Sequence, residues 1–514
     1  MRYLTTILLL TLIVLWSSCR KDFEFDPSTG NLQFSTDTLF LDTIFTNISS
    51  STYSFKVYNR TNNDLNIPSI ALERGENSNY RLNVDGIPGK SFEDIQVLAN
   101  DSIFVFVETT ADITEQTADV EFLYLDRILF DPNGNQQDVD LVTLVQDAVF
   151  LFPSRDDQGM EMGLPIGDPE DSLEIRGFFL EDNELNFTNE RPYVIFGFAA
   201  IPPDKTLTID AGARIHFHDN SGIIAANNST LLINGDVSAD PEVLENEVIF
   251  EGDRLETEFS DVPGQWGTIW LTAGSTGHMI HHATIKNATV GILMDSNDGG
   301  TDPTLTITNS QIYNSSNIGL QGNTANILGE NLVINNAGIS SLQISFGGTY
   351  NFNHCTFANY LGRGFNNFRE TPSVSIDNGI ADLFTQDLLE ANFTNCIIDG
   401  DQNLELRIFR EEGTTFNYNF TNCIIRFNDF NNQFADNELY DFDDTNLFRN
   451  VILNENLDFK DTSENMFNIG EDSAANGQAT TPTSGTDILG TTRDAINPDI
   501  GAYESVVFET EDDN

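Results

Sequence analysis

The sequence predicts an all-β protein in which an immunoglobulin-like sandwich is followed by a parallel β-helix with a C-terminal cap. Short segments between residues 31 and 150 alternate apolar and polar residues, which is typical of half-buried strands. A six-residue motif then recurs from residue 282 onward, which indicates a repeat architecture. The chain is also rich in phenylalanine, with 39 residues, and glycine, with 37, a composition that favours strands and turns.

The first domain is assigned to residues 31–150. Segments such as YSFKVY, SIFVFVET and DLVTLVQ each read as one strand, and polar turns such as residues 59–64 separate the strands. Several short strands at nearly regular spacing predict a sandwich of the immunoglobulin-like type. Residues 151–191 are polar with scattered proline and glycine, and we expect them to form a linker or the N-terminal cap of the next domain.

The second domain is built on the repeated motif. Its copies are HATIKN at 282, NSQIYN at 309, NLVINN at 331, HCTFAN at 354, NCIIDG at 395 and NCIIRF at 422. The second and fourth positions share one face of a strand and are mostly apolar or small, so both are expected to point inward. The sixth position repeats asparagine, which suits a corner because it tolerates left-handed backbone geometry. One short strand per turn, stacked in register, is a parallel β-helix.

A family resemblance supports this fold. LTIDAGARIHF and the later segments EVIFEGD, GQWGTIWL and HHATIKNATVGI resemble the opening coils of right-handed parallel β-helix proteins of bacterial envelopes, which have the pectate-lyase-like superfold. Those proteins usually carry Pro-Gly where this chain has Ala211-Gly212. The resemblance implies a right-handed β-helix over residues 192–470. It is specific for fold and weak for function, since the fold hosts lyases, hydrolases, adhesins and proteins without known activity.

The C-terminal stretch resembles the closing phrase of the same class. SAANGQ at 473–478 is followed by DILGTTR and PDIGAYE, which implies a closing segment over residues 471–508 before an acidic tail at 509–514. We expect Asp487–Glu504 to cover the open end of the last coil, because an uncovered end exposes apolar side chains and free strand edges. The sandwich joined to this β-helix also resembles uncharacterised Bacteroidetes lipoproteins.

The first residues have the layout of an export signal. Leu4–Leu15 is largely apolar, too short for a comfortable membrane span, and is followed by small residues and Cys19. This layout resembles the bacterial lipoprotein lipobox, although Trp16 stands where a small or aliphatic residue is usual. The resemblance implies a signal peptide over 1–18 and a lipid on Cys19. The alternative is an ordinary signal peptide with an incidental cysteine.

A lipid on Cys19 implies a location as well as an anchor. Residues 19–30 then form a tether, and the protein is held at the cell envelope by its lipid, with the outer membrane as the expected membrane. RKDFEFD after Cys19 resembles the Lys-plus-acidic tag that sends some Bacteroidetes lipoproteins to the cell surface, although Phe23 interrupts the acidic run.

Net charge narrows the class of partner. The chain carries 24 Lys and Arg against 80 Asp and Glu, a formal net charge of -56. Such a surface repels nucleic acid, whose binding depends on cationic contacts with phosphate, and it also repels anionic lipid and polyanionic glycans. Neutral glycans, a basic envelope protein and divalent cations are the partners that this charge favours.

Three cysteines lie in one predicted inward column, at Cys355, Cys396 and Cys423. Side chains stacked in parallel on adjacent strands sit wider apart than a disulfide requires. A straight column also lacks the tetrahedral geometry of a zinc site. We therefore expect three small core residues.

One loop has the composition of a calcium site. DSNDGGTDPT at 295–304 offers oxygen ligands from Asp295, Asn297, Asp298 and Asp302 at short range, although it does not match an EF-hand loop. DFDDTN at 441–446 is a second candidate. The alternative for both is a solvated acidic turn, and no cofactor other than calcium is expected.

Two functions fit these features, and the favoured one is non-catalytic binding of a glycan or an envelope protein. The alternative is a polysaccharide lyase or glycoside hydrolase with its site near the long coil at 354–395, because insertions in a solenoid usually project from one face. Its candidate catalytic residues are Arg363, Arg369, Arg407 and Arg410. Candidate sugar-stacking residues for either function are Tyr360, Phe365 and Phe368. The competing interpretation of the arginines is that they pair with the acidic excess.

Overall fold

The computed structural model of the protein describes residues 25–112, 121–166, 173–241, 243–361, 369–381, 383–480 and 485–508. Within these ranges the chain forms β-strands and short 3-10 turns, and it contains no α-helix. No helix in the described part of the chain has the length and apolar character needed to span a bilayer. The chain divides into two compact units, one ending at Asp147 and the other beginning at Ala148. The all-β prediction is confirmed.

The first unit is a two-sheet sandwich. Its strands are β1 Asp26–Pro27, β2 Gln33–Phe34, β3 Thr38–Phe45, β4 Tyr53–Tyr58, β5 Leu65–Leu72, β6 Tyr80–Val84, β7 Ile87–Gly89, β8 Ser91–Val97, β9 Ser102–Thr109, β10 Glu121–Phe130 and β11 Gln137–Gln146. One sheet has the order β1-β5-β10-β11-β3 with β8 on β5, and the other has the order β2-β4-β9-β6-β7. Strand β9 shows why the pattern works: Ile103, Val105 and Val107 are buried, whereas Phe104 and Phe106 face outward.

The second unit winds most of its strands into one parallel β-helix. Its strands are β12 Val149–Leu151, β13 Gly163–Ile166, β14 Leu173–Phe179, β15 Asn186–Phe187, β16 Tyr193–Ile195, β17 Phe198–Ile201, β18 Thr206–Asp210, β19 Arg214–Phe217, β20 Gly222–Ala225, β21 Thr230–Asn234, β22 Val248–Gly252, β23 Ile269–Leu271, β24 His278–His281, β25 Ala283–Lys286, β26 Val290–Asp295, β27 Leu305–Ser315, β28 Ile318–Ala337, β29 Ser340–Asn353, β30 Thr356–Asn359, β31 Val374–Asp377, β32 Gly379–Ile380, β33 Phe384–Thr385, β34 Leu388–Thr394, β35 Ile397–Gly400, β36 Leu406–Phe409, β37 Asn419–Thr421, β38 Ile424–Ile425, β39 Phe448–Arg449, β40 Ile452–Leu453, β41 Phe459–Asp461 and β42 Met466–Ile469. Residues 151–191, which the sequence predicts as a linker or cap, include β14 and β15, which pair in parallel with β17 and β18.

Each coil contributes three strands, so three parallel sheets run along the β-helix. The ladder sheet runs through β14, β17, β20, β23 and β26, then through parts of β28 and β29 to β31 and β36. The seam sheet runs through β19, β22 and β25, then through parts of β27 and β28 to β30, β35, β38 and β40.

The repeat columns stack as the sequence predicts. In the fourth column, Ile285 pairs with Ile312, and the stack continues through Ile334, Phe357, Ile398 and Ile425. All six side chains are fully buried in the main core. The three cysteines of the second column are also buried and free, which confirms their assignment as core residues.

Asparagine corners are confirmed at three of the four copies that carry Asn in the sixth column, whereas Asn359 ends strand β30 without a positive φ angle, and the structure adds a second row of corners. In the sixth column, Asn287, Asn314 and Asn336 have positive φ angles of 66°, 55° and 49°. The first position of the motif also lies in the left-handed region, at His282, Asn309, Asn331, His354, Asn395 and Asn422. Side chains along this row bond to one another: Nδ2 of Asn331 donates to Oδ1 of Asn309 at 2.8 Å, and Nδ2 of Asn395 lies 3.0 Å from Nε2 of His354.

The closing segment covers the β-helix along its side, whereas the sequence predicts a cover at the open end. Ile488, Ala502 and Tyr503 pack with Val333 and Ala358 of the seam sheet. Ile500 packs farther along the same sheet, with Ile397 and Ile424. The physical reason is that Val333, Ala358, Ile397 and Ile424, on the outward side of the seam sheet, are apolar and need a cover to leave water.

The open end is closed by a different segment. After β38, residues 428–447 bring Phe434, Tyr440 and Phe442 against Phe427 and Phe448 at the end of the core. The Tyr440 hydroxyl accepts from the backbone N–H of Ile408 at 2.6 Å and donates to its carbonyl oxygen at 3.2 Å. Tyr440 therefore satisfies the backbone groups of Ile408 at the free edge of β36, the last strand of the ladder sheet.

Candidate functional site

The outward face of the ladder sheet carries two columns of side chains that we call the open face. The central column runs through Trp270, Leu293, Gln321, Gln343, Ser375 and Arg407. The flanking column runs through Asp295, Asn323, Ser345, Asp377 and Phe409. Alternation places them outward, because their neighbours Ile269, Ile292 and Leu320 are buried in the core.

Hydrogen bonds fix the polar side chains of the open face. Trp270 Nε1 donates to Asp295 Oδ2 at 2.7 Å, and Asn323 Nδ2 donates to Asp295 Oδ1 at 2.8 Å. Gln321 Nε2 donates to Asn323 Oδ1 at 3.2 Å, and the same pattern recurs one coil on, where Gln343 Nε2 donates to Ser345 Oγ at 3.1 Å. An amide has several hydrogen-bonding positions. Each glutamine is therefore oriented by one hydrogen bond and keeps its other positions available. The result is a preorganised, partly exposed row of indole, amide and carboxylate groups.

An apolar groove lies at the N-terminal end of the open face. The hairpin of β13 and β14 forms one wall, through Leu164, Ile166 and Phe179, while Ile224 and Trp270 form the floor. The groove encloses about 490 Å³. Its apolar walls continue directly into the polar columns at Asp295, so the face offers an apolar end and a polar end.

The two carboxylates of the open face are too far apart to work as a glycosidase pair. Asp295 and Asp377 lie in one column, separated by Asn323 and Ser345. Three steps between strands at roughly 4.8 Å each give about 14 Å. Carboxyl groups of glycosidases lie at most about 9.5 Å apart. This face therefore has the groups to bind a sugar chain, and its spacing does not suit hydrolysis by paired acids.

The predicted arginines do not converge. The Arg369 guanidinium is buried and pairs with Asp401 at 2.7 Å and with Glu405 at 2.6 Å. Arg410 pairs with Glu412 and Glu438. Arg407 is exposed at the end of the open face, with its guanidinium 5.8 Å from the ring centre of Phe409. Arg363 lies outside the described residues.

The predicted stacking residues are also dispersed. Tyr360 is only 8% exposed, and its ring packs against Phe459 and Phe467, so its face is not open to a sugar. Its hydroxyl donates to Asp399 at the wall of a polar cleft. Phe365, Phe368 and the lipidation candidate Cys19 lie outside the described residues.

The acidic loop at 295–304 holds its own oxygens by hydrogen bonds. Asp295 accepts from Trp270 and Asn323. Asp298 accepts from Thr276 and from the backbone of Gly300, while Asn297 Oδ1 accepts from Gly299. Asp302 is exposed. Across the described ranges, no group of three or more His, Cys, Asp or Glu side chains is placed to hold a metal ion.

Sequence reasoning missed Trp270, Gln321 and Gln343. Each of the three is an outward residue of its strand in the ladder sheet and has a large aromatic or amide side chain. A Trp in one coil followed by outward glutamines in later coils is a signal, but it can be recognised only when the pairing register of the ladder sheet is known. The sequence does not reveal the register of this sheet, since only the seam-sheet motif repeats clearly.

No protein-family model matches the sequence, and no curated protein matches it. Several solved structures match at a distance. The chain is similar to the catalytic unit of a thermostable GH87 α-1,3-glucanase from Streptomyces thermodiastaticus strain HF3-3, with 10% identity over 72% of this chain and 79% of that chain and a TM-score of 0.24.

Two further matches are partial. A family 123 glycoside hydrolase from Clostridium perfringens, studied for glycolipid glycan hydrolysis, shares 9% identity over 23% of this chain, with a TM-score of 0.16. The match spans only 26% of that enzyme. PapD-like domain 7 of human CEP192 shares 11% identity over 25% of this chain and 92% of that domain, with a TM-score of 0.16. At this level of similarity none of the three supports an assignment of activity.

Proposed function

We propose that this protein is a cell-envelope lipoprotein whose β-helix binds a neutral glycan along the open face without cleaving it. The observation that carries the proposal is the oriented row of Trp270, Asp295, Asn323, Gln321 and Gln343. Sugars present apolar C–H faces and a rim of hydroxyls. An indole beside fixed amide and carboxylate groups matches both features.

Charge favours a neutral sugar chain as the ligand. Asp295 and Asp377 lie on the open face, and the whole chain carries a formal net charge of -56. A uronate-rich polymer would be repelled by both. Arg407 is the cation at the far end of the central column, and one exposed guanidinium does not reverse this balance.

A binding function agrees better with the geometry than the enzymatic alternative does. The carboxylates of the open face stand about 14 Å apart on the strand spacing, beyond the range of an acid pair. Arg369, which a lyase mechanism near the long coil would need, is buried in ion pairs. A lyase requires an accessible base beside its substrate.

The anchor is the second part of the proposal. A lipid on Cys19 holds the chain at the outer membrane, and the acidic tag after it directs the protein to the cell surface. Replacement Cys19→Ala should move the protein from the membrane fraction to the soluble fraction of the cell. Retention in the membrane fraction would contradict lipid anchoring at this residue.

The binding test uses retention on insoluble or immobilised polysaccharides. The full chain should be retained by at least one neutral polysaccharide, and Trp270→Ala should reduce that retention by about tenfold or more, because aromatic contacts carry much of such binding. Trp270→Phe keeps an aromatic ring but loses the indole N–H, so an intermediate loss is expected. The matched control is Phe430→Ala, since Phe430 is an aromatic side chain that is 75% exposed and belongs to neither column of the open face.

Each result has a defined meaning. New reducing ends or unsaturated uronates released from the polysaccharide would contradict the non-catalytic proposal and favour the lyase or hydrolase alternative. Equal retention of the Trp270→Ala and Phe430→Ala variants would remove the open face as the binding surface. Failure of every neutral polysaccharide would overturn glycan binding and leave an envelope protein as the ligand to seek.

A further inference from the structure

A polar cavity, distinct from the apolar groove of the open face, lies on the seam sheet. We call it the seam pocket and define it by Tyr360, Asp399, Arg426, Asn454, Glu455 and Asp458. Its main chamber encloses about 480 Å³, and a smaller recess of about 80 Å³ reaches in beside Asp399 and Arg426. This cavity has no part in the glycan binding proposed for the open face.

The floor of the seam pocket is a buried carboxylate held by two side-chain donors. Asp399 accepts from the Tyr360 hydroxyl through Oδ2 and from Arg426 Nη1 through Oδ1 at 3.4 Å. The Asp399 side chain is 10% exposed, and burial raises its pKa. The Tyr360 ring packs against Phe459 and Phe467, which limits its movement.

Arg426 has hydrogen-bonding capacity that the protein does not use. A guanidinium has five N–H donors. Its contact with Asp399 uses one, and its Nε is buried with no hydrogen-bond partner among the described residues. Because Nε is buried it cannot meet a ligand in the cavity, and the donors left for a ligand are on the Nη nitrogens. The side chain is 36% exposed, so part of the guanidinium is accessible to a ligand.

The chemistry of the walls defines that ligand. Arg426 can only donate hydrogen bonds, and ionised Glu455 and Asp458 at the rim can only accept them. A hydroxyl group both donates and accepts, so a pair of neighbouring hydroxyls can bridge the guanidinium and a carboxylate. Glu455 and Asp458 together with Asp399 disfavour an anion. The side-chain amide of Asn454 accepts from the backbone N–H of Phe427 and donates to the Phe427 carbonyl oxygen, which keeps the rim in place.

From this arrangement we infer that the seam pocket binds a single neutral sugar or similar polyol through a vicinal diol held between Arg426 and the rim carboxylates. The chamber is of the size that suits one small ligand. A cavity of this volume suits a terminal sugar or a free monosaccharide, whereas the columns of the open face run over several coils. This site is independent of the open face, and either one can exist without the other.

The test is saturation-transfer difference NMR on the purified full chain, with the methyl glycosides of glucose, galactose and mannose as probes. At least one probe should give a saturable signal, and glucuronic acid should give none. Arg426→Gln should weaken that binding by about tenfold or more, since it removes a charged donor. Arg449→Gln is the matched control, because Arg449 is an exposed arginine on the next coil, outside the pocket lining.

A second variant guards against a folding effect of Arg426→Gln. Glu455 is exposed at the rim, so Glu455→Gln should leave thermal unfolding unchanged while weakening the probe signal several-fold. Three results would overturn the inference: no saturable signal from any of the three glycosides, equal binding by the Arg426→Gln and Arg449→Gln variants, or loss of the monosaccharide signal in Trp270→Ala with retention in Arg426→Gln. The last result would place the monosaccharide on the open face.

Discussion

The ladder sheet and the seam sheet belong to the same coils, yet the central column of the open face differs in character from the outward column of the seam sheet between Val333 and Ile424. On the ladder sheet the column holds Trp270, Gln321 and Gln343, which are partly exposed. On the seam sheet the outward positions include Val333, Ile397 and Ile424, which are buried beneath the closing segment. The inward columns of both sheets are alike, so the core does not distinguish them.

The difference teaches how this β-helix separates a covered face from an available one. An apolar outward column must be covered to leave water, and here the chain folds back to cover it. A polar outward column is stable without a cover, because its side chains satisfy one another and water satisfies the rest. The face that is left uncovered is therefore the face on which we place glycan binding.

The largest effect is expected at the corner that joins the two sheets. Arg369 donates to the carbonyl of Asn359, at the end of β30 in the seam sheet, and pairs with Glu405, just before β36 in the ladder sheet. Arg369→Ala leaves the buried Glu405 carboxylate without its counter-ion. We therefore expect a loss of about 3–5 kcal/mol in the free energy of unfolding. Chemical denaturation of the purified protein measures this loss.

The control for the corner is Arg407→Ala. Arg407 is exposed on the open face, so its removal should change the free energy of unfolding by no more than about 0.5 kcal/mol. Equal effects of the two substitutions would contradict a structural role for Arg369.

Replacement of one buried residue should loosen the closing segment from the seam sheet. Ile500 is fully buried against Ile397 and Ile424, and Ile500→Ala should cost about 2–5 kcal/mol through lost contacts and a cavity. Ile496, four residues earlier in the same segment, is 84% exposed, so Ile496→Ala is the matched control. Thermal unfolding and the rate of limited proteolysis within 485–508 should change for Ile500→Ala alone. A similar change for both variants would show that the segment is not anchored as described.

Acid should weaken the corner row beside the seam sheet. Burial lowers the pKa of His282 to about 4 and the pKa of His354 to about 3, against about 6.5 in the unfolded chain. The unfolded state therefore binds more protons as the pH falls below 6.5, and folding stability declines. Between pH 6.5 and 5, each histidine should cost about 1.5 kcal/mol.

Replacement His354→Asn isolates this effect. The same row holds Asn309, Asn331 and Asn395 at positive φ, so asparagine fits the corner geometry. The variant should lose part of the pH dependence of the unfolding midpoint between pH 6.5 and 5. His218→Asn is the control, since the His218 side chain is 46% exposed and lies outside this row, with its Nδ1 2.8 Å from Asp253 Oδ2. An unchanged pH profile in His354→Asn would contradict a buried neutral histidine at this corner.

The smallest stability effect, and the sharpest contrast between the sheets, is expected on the open face. Gln343→Ala should change the free energy of unfolding by at most about 0.5 kcal/mol. The same substitution should weaken retention on the neutral polysaccharide up to about tenfold, because it removes a preoriented hydrogen-bonding group. Retention of the full binding strength would confine the glycan contact to the apolar end around Trp270.

Much of the β-helix was predictable because its repeat is local. The motif at 282, 309, 331, 354, 395 and 422 aligns the strands of the seam sheet, and Ile285 and Ile312 do pair in the predicted register. The asparagine corners follow from backbone preference alone. The same reasoning found the buried cysteines. It failed for the closing segment, since the motif does not say which outward column needs a cover.

The candidate site was less predictable. Gln321 and Gln343 are 22 residues apart on different coils, and only the ladder register places them in one column. Nothing in the local sequence distinguishes Arg369 from Arg407. In the structure Arg369 is enclosed by Asp401 and Glu405, whereas Arg407 is exposed to solvent. Pairing partners that come from later coils cannot be read from spacing alone.

The sequence by itself determined the strand-rich architecture, the stacked repeat, its core columns and its corners, because these depend on alternation and on residues that favour tight turns. Only the tertiary structure decided which side of the β-helix is covered, which arginines are available and where an indole meets a row of amides. The physical reason is that coil stacking joins residues far apart in the chain, and burial is a property of that stack and not of any one segment.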